Sequence, residues 1–263
     1  MKRVAVVTGA SKGIGEAIAK ELASRGWDLI LIARSADLLD DLKIRLVETY
    51  GIDAEVYACD LCNRAERNHT MQAILDSNRP ITALINNAGF GSTGAFVDLD
   101  ISREIQQIEL NVSALVALTH GFLPHLLAQS QGYVLNIAST AAFQPGPYMA
   151  VYYATKAFVL HFSEALATEL RGTTVSVTAH CPGATESEFA KEAGNDKTLL
   201  FSKMNHVMSR EVVAKHAVDS MLQRKSMAIA GWRNWLLAFT IRFSPRKVVA
   251  RLAGWINQPG RWS

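Results

Sequence analysis

A tyrosine and a lysine four residues apart are the side chains in this sequence best suited to proton transfer. On a helix, Tyr152 and Lys156 would be neighbours on one face, about 5–6 Å apart. A cation roughly 4 Å from a phenolate favours its ionisation by around 4 kcal/mol at an effective dielectric constant of about 20. The pair therefore predicts a phenol whose pKa falls from about 10 toward neutrality, where it works as a general acid or base. Tyr153 is also a neighbour of Lys156, and helix geometry alone leaves both tyrosines open.

A glycine-rich loop near the N-terminus has the residue types that hold a phosphate. It follows the first apolar run, opens the first helical segment and reads Thr8-Gly9-Ala10-Ser11-Lys12-Gly13-Ile14-Gly15. Glycines permit a tight turn and close backbone approach, and the N–H groups at a helix N-terminus attract a pyrophosphate. The loop favours dinucleotide binding over an ordinary strand–helix turn, although its G-x-x-x-G-x-G spacing departs from the common G-x-G-x-x-G pattern.

Further motifs follow this loop in a fixed order. They are Asn86-Asn87-Ala88-Gly89 after the fourth apolar run, Asn111 in the next helical segment, Ser139 after the fifth run, the Tyr152/Lys156 pair, and Pro182-Gly183 after the sixth run. With the glycine loop they span residues 8 to about 187, and the set resembles the short-chain dehydrogenase/reductase family. The resemblance implies a single Rossmann-type domain and an oxidoreductase that interconverts a carbonyl and an alcohol.

The resemblance also implies a catalytic set and selects Tyr152 over Tyr153. Tyr152 would donate a proton to the substrate carbonyl oxygen, and Ser139 would stabilise the charge that develops there. Lys156 would lower the pKa of Tyr152 and bind the nicotinamide ribose. Asn111 would hold a water that links Lys156 to solvent, with an amide bonded to backbone inside a helix as the alternative.

The charges near the cofactor loop predict NADP(H) rather than NAD(H). An acidic side chain about 20 residues past the loop recognises the ribose 2′-hydroxyl of NAD, whereas a 2′-phosphate needs a basic one. The second apolar run ends at Arg34 with no Asp or Glu at its tip, and Lys12 lies inside the loop. A surface arginine and a solvated lysine are the alternatives. The remaining cofactor contacts that the resemblance implies are Gly9, Ser11, Gly13, Ile14, Gly15, Asp60, Leu61, Asn87, Ala88, Gly89, Tyr152, Lys156, Pro182, Gly183 and Thr185. For Asp60, capping of the helix that starts near Asn63 is a further alternative.

Short apolar runs alternate with segments of helical period along the chain. The strand candidates are Val4–Thr8, Leu29–Ala33, Ala54–Ala58, Ala83–Asn86, Tyr133–Ala138, Val175–His180 and Met227–Ala230. These runs are continuous rather than alternating in polarity, as expected when helices cover both faces of a parallel sheet. The sequence predicts an α/β fold, a Rossmann-type doubly wound parallel sheet of about seven strands with helices on both faces, in one domain over residues 1–263. Ligands in such sheets bind at the carboxyl ends of the strands.

Composition excludes several classes of protein. Of 263 residues, 49% are hydrophobic and 19% charged, which indicates a globular chain with a sizeable core. Three cysteines, an odd number in a chain of this length, do not form a disulfide framework and fit a reducing compartment, so we expect a cytoplasmic protein.

The sequence implies neither a metal site nor a membrane span. Cys59-x-x-Cys62 lacks a second cysteine pair and the histidines form no ligand pattern, so no metal is implied. Residues 110–155 carry no charged side chain, but His120, Gly121 and Pro124 interrupt them, and they indicate a buried centre rather than a membrane span.

Three segments are expected around the substrate: Phe90–Phe96, Ala141–Met149 and a lid near residues 186–208. Their apolar side chains are Phe90, Phe96, Phe143, Tyr148, Met149, Phe189, Leu199, Leu200, Phe201 and Met204. They predict a pocket for a small to medium apolar ketone, aldehyde or 3-oxoacyl group, with simple packing of the lid as the alternative. Ser187 stands where the family often has threonine, and it keeps the hydroxyl.

The C-terminal segment, residues 226–263, is basic and rich in tryptophan. It contains no Asp or Glu and holds four of the five tryptophans, and residues 203–263 carry 11 basic and two acidic side chains. Helices are predicted over Trp232–Phe243 and Pro245–Asn257, the second with Ser244 as N-cap and an apolar face of Val248, Val249, Leu252 and Ile256. Packing over the pocket or a subunit interface is favoured over weak peripheral contact with anionic lipid.

Two further expectations concern partners and class. No nucleic-acid recognition module accompanies the basic segment, so we expect no nucleic-acid partner. Family habit implies a homo-oligomer, a dimer or tetramer. The alternative to an enzyme is a catalytically idle module that binds NADPH as a regulator or is recruited to a membrane, and the intact catalytic set argues against it.

Overall fold

A computed structural model describes residues 3–186, 188–194 and 207–258. Within them, one sheet has seven parallel strands in the order β3-β2-β1-β4-β5-β6-β7. The strands are β1 (Val4–Thr8), β2 (Asp28–Ala33), β3 (Ala54–Ala58), β4 (Ile81–Asn86), β5 (Gly132–Ile137), β6 (Val175–Cys181) and β7 (Met227–Ile229). The predicted fold class is confirmed, and every predicted strand is present to within two residues at each end. The order reverses between β1 and β4, which is where ligands of doubly wound sheets bind.

Helices cover both faces of the sheet, as the continuous apolar strands require. The helices are α1 (Gly13–Ser24), α2 (Ala36–Tyr50), α3 (Arg64–Asp76), α4 (Ile101–Ile108), α5 (Leu115–Leu127), α6 (Ala150–Glu169), α7 (Phe189–Ala193), α8 (Arg210–Leu222), α9 (Trp232–Ile241) and α10 (Arg246–Asn257). Side chains of α1, α2 and α8 pack on one face of the sheet. Those of α3, α5 and α6 pack on the other, so alternate residues of each central strand enter two separate cores.

One helical stretch, Ile101–Leu127, is long and apolar enough to cross a membrane by length and composition. It comprises α4, a π-helical turn over Glu109–Ala114, and α5. Phe122 and Leu126 of this stretch are completely buried among residues of β1, β4 and β5. The α5 part of the stretch is therefore a core helix of the sheet, and its lack of charged side chains reflects burial inside the protein. The earlier part carries Arg103, Glu104 and Glu109 and exposes Ile101 and Ile105.

A buried polar chain connects the two strands at the centre of this core. Asn86 at the end of β4 donates to Oγ1 of Thr119 at 3.0 Å and to Oδ1 of Asn136 on β5 at 2.9 Å. Asn136 in turn donates to Oγ of Ser163 on α6 at 2.9 Å. Because a buried polar group is costly unless it is hydrogen-bonded, these bonds fix the positions of β4, β5, α5 and α6 relative to one another.

The C-terminal helices form with two differences from the sequence prediction. Ser244 is not the N-cap of α10: Pro245 holds that position, and the Ser244 hydroxyl donates to the carbonyl of Thr240 in α9. The buried face of α10 consists of Val249, Ala253, Gly254 and Asn257, whereas Val248 and Leu252 are exposed. The predicted apolar face is confirmed for the buried Val249 and the half-buried Ile256 and is wrong for Val248 and Leu252, because Ala253, Gly254 and Asn257 contact the domain instead.

A histidine pair joins β6 to α8. His180 is completely buried, and its Nε2 lies 3.0 Å from Nδ1 of His216. Burial, with His216 adding a smaller effect, lowers the pKa of His180 to about 3, and burial also lowers the pKa of His216. Both imidazoles are therefore neutral in the folded protein at neutral pH.

We expect His180 to make the fold sensitive to mild acid. In the unfolded chain this histidine is protonated below a pH of about 6.5, whereas in the folded protein it stays neutral down to a pH of about 3. Protonation at mild acid therefore stabilises the unfolded chain relative to the folded one. Between pH 7 and pH 5 this lowers the free energy of unfolding by about 2 kcal/mol. Urea denaturation at pH 7, 6 and 5 should show a shallower pH dependence for His180→Gln than for the wild type. Identical pH dependence of the two proteins would contradict this.

Candidate active site

The four predicted catalytic side chains come from three elements at the carboxyl edge of the sheet. Ser139 follows β5, Asn111 lies in the π-helical turn before α5, and Tyr152 and Lys156 are in the first two turns of α6. Ser139 caps the 3-10 turn Thr140–Phe143 by accepting from the backbone N–H of Ala141 at 3.1 Å. This edge is where parallel sheets of this kind bind ligands.

Tyr152 carries its phenol to Ser139. The Ser139 side chain is close enough to the phenol to lower its pKa, and the tyrosine ring packs against Phe189 of α7 with centroids 5.1 Å apart. Burial raises the pKa of Tyr152, and the smaller effect of the Ser139 hydrogen bond opposes the rise. The phenol is therefore held in its protonated form.

Lys156 reaches the same region but is directed at the backbone. Its buried ammonium donates to the carbonyl oxygen of Ile137 at 2.8 Å and lies 5.8 Å from the centroid of the Tyr152 ring. Burial lowers the pKa of Lys156 to about 8. The predicted fall in the pKa of Tyr152 is wrong for this arrangement, because desolvation of the phenol is the largest influence on that pKa and raises it.

Tyr153 turns away from this group. Its buried hydroxyl accepts from Nδ2 of Asn257, at the end of α10, at 3.1 Å. The Asn257 amide also donates to the carbonyl of Pro147 at 3.2 Å. The structure thus brings Tyr152, and not Tyr153, close to Ser139. Tyr153 instead helps to hold α10 against the loop that precedes α6.

Asn111 is hydrogen-bonded to the backbone, as expected for an asparagine amide inside a helix. Its amide donates to the carbonyl of Phe90 and to Oγ1 of Thr155, both at 3.0 Å, and its Oδ1 accepts from the Phe90 N–H at 3.2 Å. A Cβ atom added at Gly89 would lie 2.9 Å from this Oδ1 and 3.6 Å from Nζ of Lys156. Asn111 and Lys156 therefore flank the same glycine, and the π-helical turn places the asparagine there.

The glycine loop is joined to the loop after β4 by one hydroxyl group. Oγ1 of Thr8 accepts from the N–H groups of Asn87 and Ala88 at 3.0 and 3.1 Å, and it donates to the Ile85 carbonyl at 3.1 Å. The Asn87 side chain returns a hydrogen bond to the Thr8 carbonyl at 3.0 Å. A Cβ atom at Gly15 would lie 2.2 Å from the Gly9 carbonyl oxygen, so only glycine permits this loop.

The loop and strand ends present the other predicted cofactor contacts at the same edge. Gly9, Ser11, Gly13 and Ile14 belong to the loop, Ala88 and Gly89 follow β4, and Pro182, Gly183 and Thr185 follow β6. Arg34 is exposed just after β2, and Lys12 is also exposed, with its Nζ 3.9 Å from Glu192. Both cations are thus accessible at the cofactor edge.

Asp60 and Leu61 follow β3, and the capping alternative for Asp60 is wrong. Asn63 is the N-cap of α3, accepting from the N–H groups of Ala65 and Glu66, whereas Asp60 accepts from the N–H of Cys62 at 3.0 Å. Leu61 is buried. Burial, with Asp60 adding to it, raises the pKa of the Cys62 thiol to about 11, which makes a redox role unfavourable.

Apolar side chains and the short helix α7 cover Tyr152. Phe189 packs with Met149, Tyr152 and Tyr153 in one cluster. Backbone hydrogen bonds pair the two ends of the predicted lid, from Glu186 N to Met208 O at 2.9 Å and from Met208 N to Ala184 O at 3.0 Å. Of the other predicted substrate residues, Phe96 is exposed, and Leu199, Leu200, Phe201 and Met204 lie outside the described residues. Ser187, where the family often has threonine, also lies outside them.

Comparison with known proteins decides the family. The family model for short chain dehydrogenases matches residues 3–198. The chain belongs to the short-chain dehydrogenase family. This dehydrogenase is 33% identical to an uncharacterised oxidoreductase of Staphylococcus epidermidis over 71% of the chain and 79% of that protein. It is 36% identical to the very-long-chain 3-oxoacyl-CoA reductase of Anas platyrhynchos over 71% of the chain and 61% of that protein.

A solved structure shows the same architecture over nearly the whole chain. The short-chain dehydrogenase from Sphingobium yanoikuyae in complex with NADPH superposes with a TM-score of 0.82 at 32% identity. The similarity covers 92% of this chain and 94% of the other. It therefore extends beyond residue 198, where the match to the family model ends.

Two supporting residues of the dehydrogenase escaped the sequence analysis. Arg103 of α4 donates to the Glu192 carbonyl of α7 at 2.8 Å and lies over the Phe90 ring at 5.0 Å, so it joins α7 to the segment after β4. Asn257 joins α10 to Tyr153 of α6. Both contacts span about 90 or more positions of sequence, and no local pattern signals them.

Replacing Thr8 by a residue without a hydroxyl group should destabilise the dehydrogenase, whereas a replacement that keeps the hydroxyl should retain most of the stability. Thr8→Val leaves two N–H groups and one carbonyl without their partner, and we expect the free energy of unfolding to fall by about 2–3 kcal/mol. Thr8→Ser keeps the hydroxyl and should lose no more than about 1 kcal/mol for the missing methyl group. Chemical denaturation measures both values, and equal losses would show that the hydroxyl is not the stabilising group.

Proposed function

We propose that the protein is an NADP(H)-dependent oxidoreductase that interconverts a carbonyl and an alcohol on a small to medium apolar substrate. The observation that carries the proposal is the convergence of Ser139, Tyr152 and Lys156 at the carboxyl edge of the sheet, beside the glycine loop. General acid, oxyanion donor and cation are the groups that carbonyl reduction requires.

The described residues fit a dinucleotide with a 2′-phosphate. At Gly15 the backbone leaves no room for a side chain, and the loop opens directly into α1, whose N-terminus favours a pyrophosphate. The exposed Arg34 after β2 offers the positive charge for the ribose phosphate, and Lys12 offers a second. The NADPH complex of the Sphingobium yanoikuyae relative supports the same choice.

In the reductive direction, the chain's own residues act on the substrate oxygen. NADPH, when bound, supplies the hydride for the carbonyl carbon. Tyr152 donates its phenolic proton as the C–O π bond breaks, so that an alcohol O–H forms, and the Ser139 hydroxyl donates a hydrogen bond to the same oxygen. The raised pKa of Tyr152 keeps the proton available until then. Lys156 holds the ribose and, with Asn111, returns a proton from solvent.

The surroundings of the tyrosine favour an apolar substrate. Phe189 and Met149 pack beside Tyr152, and carbon surfaces of this kind bind hydrophobic groups next to the few polar atoms that orient them. A ketone, an aldehyde or a 3-oxoacyl group meets this description. The 3-oxoacyl-CoA reductase among the relatives supports the last of these.

A tyrosine pair on one helix provides the decisive test. We expect Tyr152→Phe to lower kcat by about 10²–10⁴-fold, because it removes the general acid. The matched control, Tyr153→Phe, removes the same atom one residue away and should stay within a few-fold of the wild type. Loss of NADPH absorbance with a panel of hydrophobic ketones, aldehydes and acyl thioesters measures the rates. A wild type that binds NADPH and reduces nothing in the panel would support an idle regulatory module.

Arg34 should set the choice between the two nicotinamide cofactors. In Arg34→Asp, a carboxylate replaces the cation that faces a 2′-phosphate, and the ratio of NADPH to NADH affinity should fall at least tenfold, the effect of losing one hydrogen bond to a charged group. Arg171→Asp, an equal charge change at an exposed position after α6, is the control. Fluorescence titration measures both affinities, and an unchanged ratio in Arg34→Asp would contradict the assignment.

We also propose that the protein forms a homo-oligomer. Ile101, Ile105 and Ile108 are exposed on α4, and Phe158 is exposed on α6, which offers an apolar face for a second copy. Light scattering after size exclusion should give a mass above the 28.8 kDa of one chain.

A further inference from the structure

One face of α9 and the residues just after it expose large aromatic side chains in a continuous row. Trp235 stacks on Phe239 with ring centroids 5.3 Å apart, and Phe239 meets Phe243 edge to face at the same distance. Trp235 is 52% exposed and Phe243 76% exposed, and Leu252 of α10 is 57% exposed. We call Trp235, Phe239 and Phe243, with Trp232, the outer apolar face. Exposed aromatic side chains in contact with one another mark a binding surface.

The basic side chains of α9, α10 and the residues between them form no ion pairs within the described part of the chain. Arg233, Arg242, Arg246, Lys247 and Arg251 are all exposed on or next to α9 and α10, and residues 226–263 contain no Asp or Glu. The acidic residues of the protein lie earlier in the chain, so the positive charge is local to this segment.

The inner side of the two helices holds them in place on the domain. Ala238 of α9 is buried, Gly254 of α10 packs on Pro147, and Asn257 hydrogen-bonds Tyr153. The aromatic row is therefore presented outward by helices that are fixed on the domain.

We propose that the outer apolar face binds the surface of an anionic lipid bilayer. Tryptophan and phenylalanine beside lysine and arginine, without acidic residues, is the combination that lies at the boundary of headgroups and acyl chains. The aromatic rings insert at that boundary, and the five cations meet the negative headgroups.

A second copy of the chain fits this surface less well. A twofold interface pairs a patch with itself, so it would bring the same five cations together with no acidic side chain between them. An anionic bilayer offers an apolar layer and opposite charge together. The charge of the segment thus favours lipid as the occupant.

Vesicle cosedimentation tests the proposal with the whole protein. We expect binding to vesicles of 30% phosphatidylglycerol in phosphatidylcholine at low salt, at least about tenfold weaker binding to phosphatidylcholine alone, and a blue shift of tryptophan emission on binding. Trp235→Ser/Phe239→Ser should lose most of the binding. Arg246→Gln/Lys247→Gln should weaken vesicle binding roughly 25-fold, since each of the two basic residues near an anionic surface contributes about fivefold.

Two control variants alter the same residue types on distant surfaces. Ile44→Ser/Val212→Ser removes apolar side chains that are 53% and 55% exposed, and Arg64→Gln/Arg171→Gln removes two exposed cations. Both should bind vesicles like the wild type, and circular dichroism verifies that every variant is folded. No binding of the wild type at low salt, or equal loss in control and test variants, overturns the proposal. A change of oligomer mass in Trp235→Ser/Phe239→Ser without vesicle binding would assign the face to a second copy instead.

Discussion

The hydrogen bond from the buried ammonium of Lys156 to the carbonyl of Ile137 joins helix α6 to the end of strand β5, and the candidate site is assembled around it. An ammonium inside a protein needs a partner, because desolvation without one is very costly. The bond fixes the first turns of α6 over the strand end. Tyr152, one turn earlier, is thereby carried to Ser139, which follows the same strand.

The electrostatics of this arrangement differ from the simple picture of a lysine beside a phenol. Desolvation acts on both groups, and it favours the neutral form of each: the phenol keeps its proton, and the pKa of the ammonium falls to about 8. A protonated tyrosine close to a serine is prepared to donate rather than to accept. This state suits the reductive direction of carbonyl chemistry, which is the direction we propose.

The two ends of the chain serve the site in different ways. The N-terminal strand and loop are fixed by the Thr8 hydroxyl, which joins the glycine loop to the residues after β4 and leaves a cradle that accepts no side chain at Gly15. The C-terminal helix reaches back to Tyr153 and Pro147 through one asparagine side chain. Its small residues face the domain, and its large ones face outward, where the charge of the segment is entirely positive.

The sequence by itself determined the strands, the parallel sheet and the family, because continuous apolar runs and glycine spacing are local properties that the backbone must obey. It also identified Asn111, Ser139, Tyr152 and Lys156, since motifs in a fixed order carry them. It did not separate Tyr152 from Tyr153 by geometry, and it gave the wrong pKa direction for the phenol, because burial depends on elements distant in sequence. Only the tertiary structure decided the partners of Arg103 and Asn257 and the inward face of α10. Contacts between residues about 90 or more positions apart produce no local or periodic pattern in the sequence, because they depend on how distant elements pack.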